Sequence, residues 1–146
     1  MSTLSVNTIK SLNTNGPVFQ NSSGTEKGRL AKAYVNFDGT FSTSIEFTLA
    51  NGGIRTSYNV SSVTDRGGTG KYTINFVSGT FTSANYVACG IAGNYGGTQG
   101  TTNNFSIMPD GDSNIPNRTT TAFAIRVVGG GSNANKEDTN LAFFGD

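Results

Sequence analysis

Few side chains in this chain are able to do chemistry. Histidine is absent, Cys89 is the single cysteine, and nine carboxylates are scattered among 146 residues. A serine or cysteine nucleophile of the usual kind needs a neighbouring imidazole as its base, so that class of catalysis is excluded. Glycoside cleavage needs two convergent carboxyl groups. Asp38 with Glu46, or Asp110 with Asp112, could supply such a pair. Neither pair lies in a sequence context that would raise one pKa or flank a groove. No enzymatic activity and no cofactor are expected.

Two spacings resemble ligand-binding loops and fail on inspection. Asp110-Gly111-Asp112-Ser113-Asn114 has the one-three-five oxygen spacing that opens a calcium loop. Position six would then be Ile115 instead of glycine, and position twelve Thr121 instead of glutamate, so it is not an EF-hand. An Asx-rich turn explains the spacing more simply; a looser Ca²⁺ site is the alternative reading. Gly68-Thr69-Gly70-Lys71 looks like the end of a phosphate loop. It lacks the earlier glycine, where Asp65 stands, and the following Ser/Thr, where Tyr72 stands. Binding is better served by Tyr95 and Gln99 in the glycine-rich stretch Gly93–Gly100, where an aromatic ring flanked by amides would make a stacking platform for a glycan. The bland alternative is that Tyr95 caps a sheet edge or packs at a subunit contact. Cys89 sits in Tyr86–Ile91, which reads as a strand, and a buried, inert thiol is expected there.

The elements that must position these residues are strands. Apolar residues recur with period two and almost nowhere with period 3.6. Ala31, Ala33, Val35 and Phe37 share one face of Ala31–Phe37. Tyr72, Ile74 and Phe76 alternate with Lys71, Thr73 and Asn75; Phe123, Ile125 and Val127 do the same in Thr121–Val128; Phe105 and Ile107 alternate with Asn104, Ser106 and Met108. These are signatures of half-buried antiparallel strands. Turn signals such as Asp38-Gly39, Asn51-Gly52-Gly53 and Asp65–Gly68 punctuate them, and Val60–Thr64 with Lys71–Phe76 reads as a hairpin. Gly93–Asn103, Pro109–Thr120 and Gly129–Asn140 read as longer polar loops, the last preceding an apolar strand Leu141–Phe144. The pattern predicts an all-β antiparallel β-sandwich or jelly-roll-like domain.

Composition adds an arm and an assembly. Roughly half of the residues are Gly, Ser, Thr or Asn. Ten Phe and five Tyr supply most of the large apolar surface. The core they build would be thin for the length, which points to burial shared between subunits. Ten Lys/Arg against nine Asp/Glu leave no basic cluster for nucleic acid. No apolar run approaches membrane-spanning length, so no membrane insertion is expected. Met1–Lys10 is polar and alternating, so no secretory signal is expected. Residues 1–28 carry isolated apolar positions in a polar background: Leu4, Val6 and Ile9, then a short strand at Val18-Phe19, then a polar connector over Asn21–Gly28. Such a stretch buries little alone and is expected to act as an extended N-terminal arm that packs on a neighbouring subunit. The sandwich domain would be residues 29–146. Edge protection in a sheet-rich domain independently favours closed association.

Three runs carry a resemblance. They are Tyr34-Val35-Asn36-Phe37-Asp38-Gly39-Thr40, the stretch Ile54-Arg55-Thr56-Ser57-Tyr58-Asn59-Val60-Ser61-Ser62-Val63-Thr64-Asp65, and Gly68-Thr69-Gly70-Lys71-Tyr72-Thr73-Ile74-Asn75-Phe76. Together with Met1–Ile9 and Pro17–Glu26, they resemble a module of phage tail-fibre proteins, especially those of phages infecting marine cyanobacteria. The resemblance covers Met1 to about Ala92; Ser42–Ala50 is insertion-like against it. It implies a non-enzymatic structural protein of a phage virion, made in the host cytoplasm and assembled as a homotrimer. The arm would join other virion proteins. A short tail fibre or fibre tip contacting the host surface is the first reading. A capsid-surface decoration protein and a free carbohydrate-binding module are the alternatives.

Overall fold

The computed structural model describes residues 18–20, 23, 26–93, 105–110, 116–129 and 132–145. The chain divides into two compact units, Met1–Leu30 and Ala31–Asp146. In the first, β1 (Val18–Gln20) pairs antiparallel with β2 (Glu26–Arg29). Val18 lies opposite Arg29 and Phe19 opposite Gly28. The strand expected at Val18-Phe19 is present, but Glu26–Gly28, expected as connector, is its hairpin partner. The arm positions Leu4, Val6 and Ile9 lie outside the described residues.

The second unit holds two antiparallel sheets packed together. Its strands are β3 (Ala33–Phe37), β4 (Glu46–Phe47), β5 (Ile54–Tyr58), β6 (Val60–Asp65), β7 (Lys71–Phe76), β8 (Val87–Gly93), β9 (Phe105–Pro109), β10 (Ala122–Gly129), β11 (Ser132–Asn133) and β12 (Asp138–Phe144). One sheet runs β5-β3-β12-β8; the other runs β4-β6-β7-β10-β11, with β9 also on β10. Ile125 and Arg126 pair with β7 along one edge and with β9 along the other. The expected hairpin is β6–β7. The loop expected over Gly129–Asn140 is interrupted by β11, and β12 begins already at Asp138.

The inward faces follow the period-two pattern. Val35 and Phe37, Tyr72 and Ile74, Phe123, Ile125 and Val127, and Leu141 and Phe143 are all buried. Strand β7 links two aromatic groups. Its Tyr72 meets Phe37 edge-on, centroids 5.0 Å apart, and Phe37 neighbours Phe47. Four residues on, Phe76 meets Phe81, Tyr86 and Phe143 edge-on at 4.8, 5.6 and 4.9 Å. Edge-to-face rings attract beyond their buried area. Aliphatic side chains of Val35, Val63, Ile74, Ile125 and Leu141 complete the core.

Two local conformations hold the sheets in place. Asn59, the one residue between β5 and β6, has φ 55°, and its amide donates to the carbonyl of Lys32 at 2.7 Å. Asparagine tolerates this left-handed geometry, and the chain uses it to pass from one sheet to the other. Gly70, with φ 68°, ends the β6–β7 turn. A Cβ there would stand 2.7 Å from the carbonyl oxygen of Val127 and 2.8 Å from that of Ala134. Only glycine meets both demands.

Candidate functional site

The outer faces of the two sheets differ. On the β6–β7 sheet, Asn75 donates to the hydroxyls of Ser62 (3.0 Å) and Thr64 (2.9 Å), a polar cross-strand cluster in which Ser62 is itself buried. On the four-stranded sheet, register brings Tyr58, Tyr34, Ala142 and Cys89 into one row across β5, β3, β12 and β8. Tyr34 and Tyr58 stack with centroids 6.0 Å apart and planes 27° apart. They are 42% and 53% exposed, and across β12 from them Val87 and Ile91 on β8 are 66% and 70% exposed. The next row is Thr56, Asn36, Asn140 and Ile91. All residues of these rows except Tyr58 line a shallow depression of about 470 Å³.

Size decides which side of β8 faces out. The strand Val-Ala-Cys-Gly-Ile-Ala-Gly is apolar at nearly every position. Its small residues Ala88 and Ala92 turn toward the core. A Cβ on Gly90 would meet the carbonyl oxygen of Asn140 and crowd Ile107 of β9 at 3.0 Å. No large side chain fits there, so Val87, Cys89 and Ile91 take the outer face. Cys89 is therefore exposed, not buried as its apolar strand suggested. Its thiol makes one weak contact, 3.8 Å to the carbonyl of Ala142.

The charges beside this face pair within the chain, two carboxylates sharing one guanidinium. Arg55 lies 3.4 Å from Asp38 and 3.7 Å from Asp138, and it also donates to the carbonyl of Glu137. Asn36 donates to Asp138 at 2.5 Å and to Asn140 at 2.6 Å. Asp38 also accepts from the backbone and hydroxyl of Thr40. Its carboxylate is thus engaged, while Glu46 is exposed on β4. Asp110 is held by Arg66 in a charge-assisted hydrogen bond and by Arg126 at 3.6 Å. Asp112 and Asn114 lie outside the described residues, as do Tyr95 and Gln99. The Gly68–Lys71 run is a hairpin turn leading into β7, and the N–H of Gly70 donates to Asn135 at 2.5 Å. Among the described residues, no group of three or more His, Cys, Asp or Glu is placed to hold a metal ion. No family model, curated protein or solved structure matches this chain.

The perturbed phenols are structural. The Tyr72 hydroxyl shares its one proton between the carbonyl of Gly39 at 2.8 Å and Asn135 Oδ1 at 2.9 Å, tying both sheets to the segment before β12. Burial, reinforced by the charges of Asp65 and Asp38, pushes its pKa well above the usual phenol range. The Tyr86 hydroxyl shares its one proton between the carbonyls of Thr119 (3.0 Å) and Ala122 (3.1 Å). Burial pushes it up to about 12, against opposing effects of Arg118 and the Thr119 hydrogen bond. An unfolded tyrosine ionises near pH 10. Above that pH the unfolded chain binds fewer protons than the native one, so stability falls as pH rises. Urea midpoints are expected to hold below pH 10 and to drop between pH 10 and 12. Tyr72→Phe and Tyr86→Phe variants should show a shallower drop over that window.

Proposed function

We propose that this protein is a non-enzymatic structural subunit of a phage virion, a short tail fibre or fibre tip assembled as a homotrimer. Its jelly-roll-like domain is the building block, and the arm of residues 1–28 joins it to other virion proteins. The observation that carries this reading is the row Tyr58-Tyr34-Ala142-Cys89, with Val87 and Ile91, which gathers exposed apolar side chains on the outer face of one sheet. Isolated exposed apolar residues are ordinary, but a contiguous patch marks an interaction surface. The resemblance over Met1 to Ala92 supplies the setting. The engagement of Asp38, Asp110, Tyr72 and Tyr86 in ion pairs and hydrogen bonds of the fold supports a structural role over a catalytic one.

Sedimentation equilibrium tests the assembly. The full chain is expected at three times its 15.2 kDa. Deleting residues 1–28 is expected to abolish either co-purification with assembled particles or trimer formation. A 15.2 kDa species at every concentration, especially one that binds on a glycan array, would refute the subunit reading in favour of a free carbohydrate-binding module.

A further inference from the structure

We infer that the depression on the outer face of the β5-β3-β12-β8 sheet is a binding site for a short neutral oligosaccharide, with one sugar ring seated on Tyr34. The site adds a ligand to the structural role proposed above and stands whether or not three copies assemble.

Side-chain size shapes the site. In the row Tyr58-Tyr34-Ala142-Cys89, two large rings are followed by two small side chains. Tyr58 stacks behind Tyr34, on the side away from Ala142. The other face of the Tyr34 ring is thus a buttressed wall beside a floor of Ala142 and Cys89, and Ile91 of β8 stands at the far side. A pyranose ring has a face of C–H bonds and a rim of hydroxyls. The C–H face packs on an aromatic plane, and the rim needs donors and acceptors beside that plane.

The next row supplies them. Asn36, Thr56 and Asn140 line the same depression. Asn36 Nδ2 holds Oδ1 of Asn140 at 2.6 Å, which leaves Nδ2 of Asn140 as an oriented donor. The hydroxyls of Tyr34 and Thr56 are engaged by no partner among the described residues, and each can donate or accept. Asp138 accepts from Asn36 through Oδ1 and keeps Oδ2 as an acceptor beside the row.

Charge and area select the class of ligand. Asp38 and Asp138 share the guanidinium of Arg55, so the field beside the site is negative. It opposes a sulfated or uronic-acid glycan, a phosphate backbone and an anionic membrane, and it suits hydroxyl donors. Four strands about 4.8 Å apart and about 23 Å long give roughly 400 Å² of sheet face. Each partner in a standard protein pair buries about 800 Å², so the face is too small for a folded protein. The depression of about 470 Å³ falls within the size range of small-ligand sites, about 300–1,000 Å³.

Cys89, the single thiol, lies on the floor and reads occupancy. Alkylation of the full chain by iodoacetamide is expected to slow at least about fivefold in about 10 mM of one or more of cellotriose, maltotriose, mannotriose and triacetylchitotriose. A sulfated trisaccharide at that concentration should leave the rate unchanged. Tyr34→Ala should weaken the protecting sugar about tenfold, the equivalent of one aromatic contact. Tyr34→Phe keeps the ring and should stay within about threefold. Tyr34 is exposed, so both variants should keep the wild-type urea midpoint. The site is overturned if none of these neutral sugars protects Cys89, if Tyr34→Ala is protected as well as wild type, or if the sulfated sugar protects equally. An oligoproline peptide that protects where the sugars fail would assign the depression to a peptide instead. Sedimentation of the same samples separates the two proposals. A trimer that binds no sugar loses the site alone, and a 15.2 kDa species that binds one loses the trimer alone.

Discussion

Phe143→Ala is expected to destabilise the folded subunit by about 4 kcal/mol, the middle of the range for aromatic truncation in a core. Phe143 is fully buried on β12. Its ring meets Phe76, Tyr86 and Phe123 edge-on, at 4.9, 6.0 and 5.7 Å between centroids. Those neighbours belong to different strands and segments, and each is held by its own contacts. Tyr86, for instance, is anchored through its hydroxyl to Thr119 and Ala122. The cavity left by alanine therefore cannot collapse easily, and the cavity cost adds to the lost transfer energy. Small domains have about 5–15 kcal/mol in total, so this one substitution removes a large share. Urea denaturation should show a much lower midpoint with an unchanged slope. A loss below about 1 kcal/mol would mean that the aromatic cluster repacks freely.

Asp110→Asn is expected to cost about 3 kcal/mol, by a different mechanism. The side chains of Arg66 and Asp110 are 8% and 14% exposed, and Arg126 stands on the other carboxylate oxygen. Arg66 also reaches the carbonyl of Ile125 at 3.4 Å. Asparagine keeps the shape and removes the charge. A guanidinium then remains in a largely dehydrated site without its counterion, which costs far more than the pair itself contributes. The double variant Arg66→Met/Asp110→Asn should recover much of the loss, because no buried charge is stranded. The coupling should change little between low and high salt, since a buried pair is weakly screened. If the double variant is as unstable as the sum of the two singles, the two side chains act independently.

The sandwich was legible because its strands are half-buried. In Ala33–Phe37 and Lys71–Phe76, alternation of apolar and polar residues marks both the strand and its inner face, and in Ala122–Gly129 the large apolar residues Phe123, Ile125 and Val127 fall on alternate positions. β4 and β11, two residues each, are too short to carry a period. β2 was missed for another reason. Glu-Lys-Gly-Arg has no apolar residue, and its strand character comes from pairing with Val18–Gln20. The candidate face was legible only in part. Tyr34 and Asn36 could be placed outward from alternation, but their neighbours in the row come from β5, β12 and β8, separated widely along the chain.

The sequence by itself determined an all-β fold, its main inner faces and a chain poor in catalytic groups. These follow from local spacing and residue type, which need no knowledge of what lies across the strand. The tertiary structure decided where Cys89, Val87 and Ile91 point. An apolar strand carries no polarity contrast to orient it. The room left by β9 and β12 around Gly90 admits only small residues, so steric volume, supplied by distant parts of the chain, turned the larger ones outward.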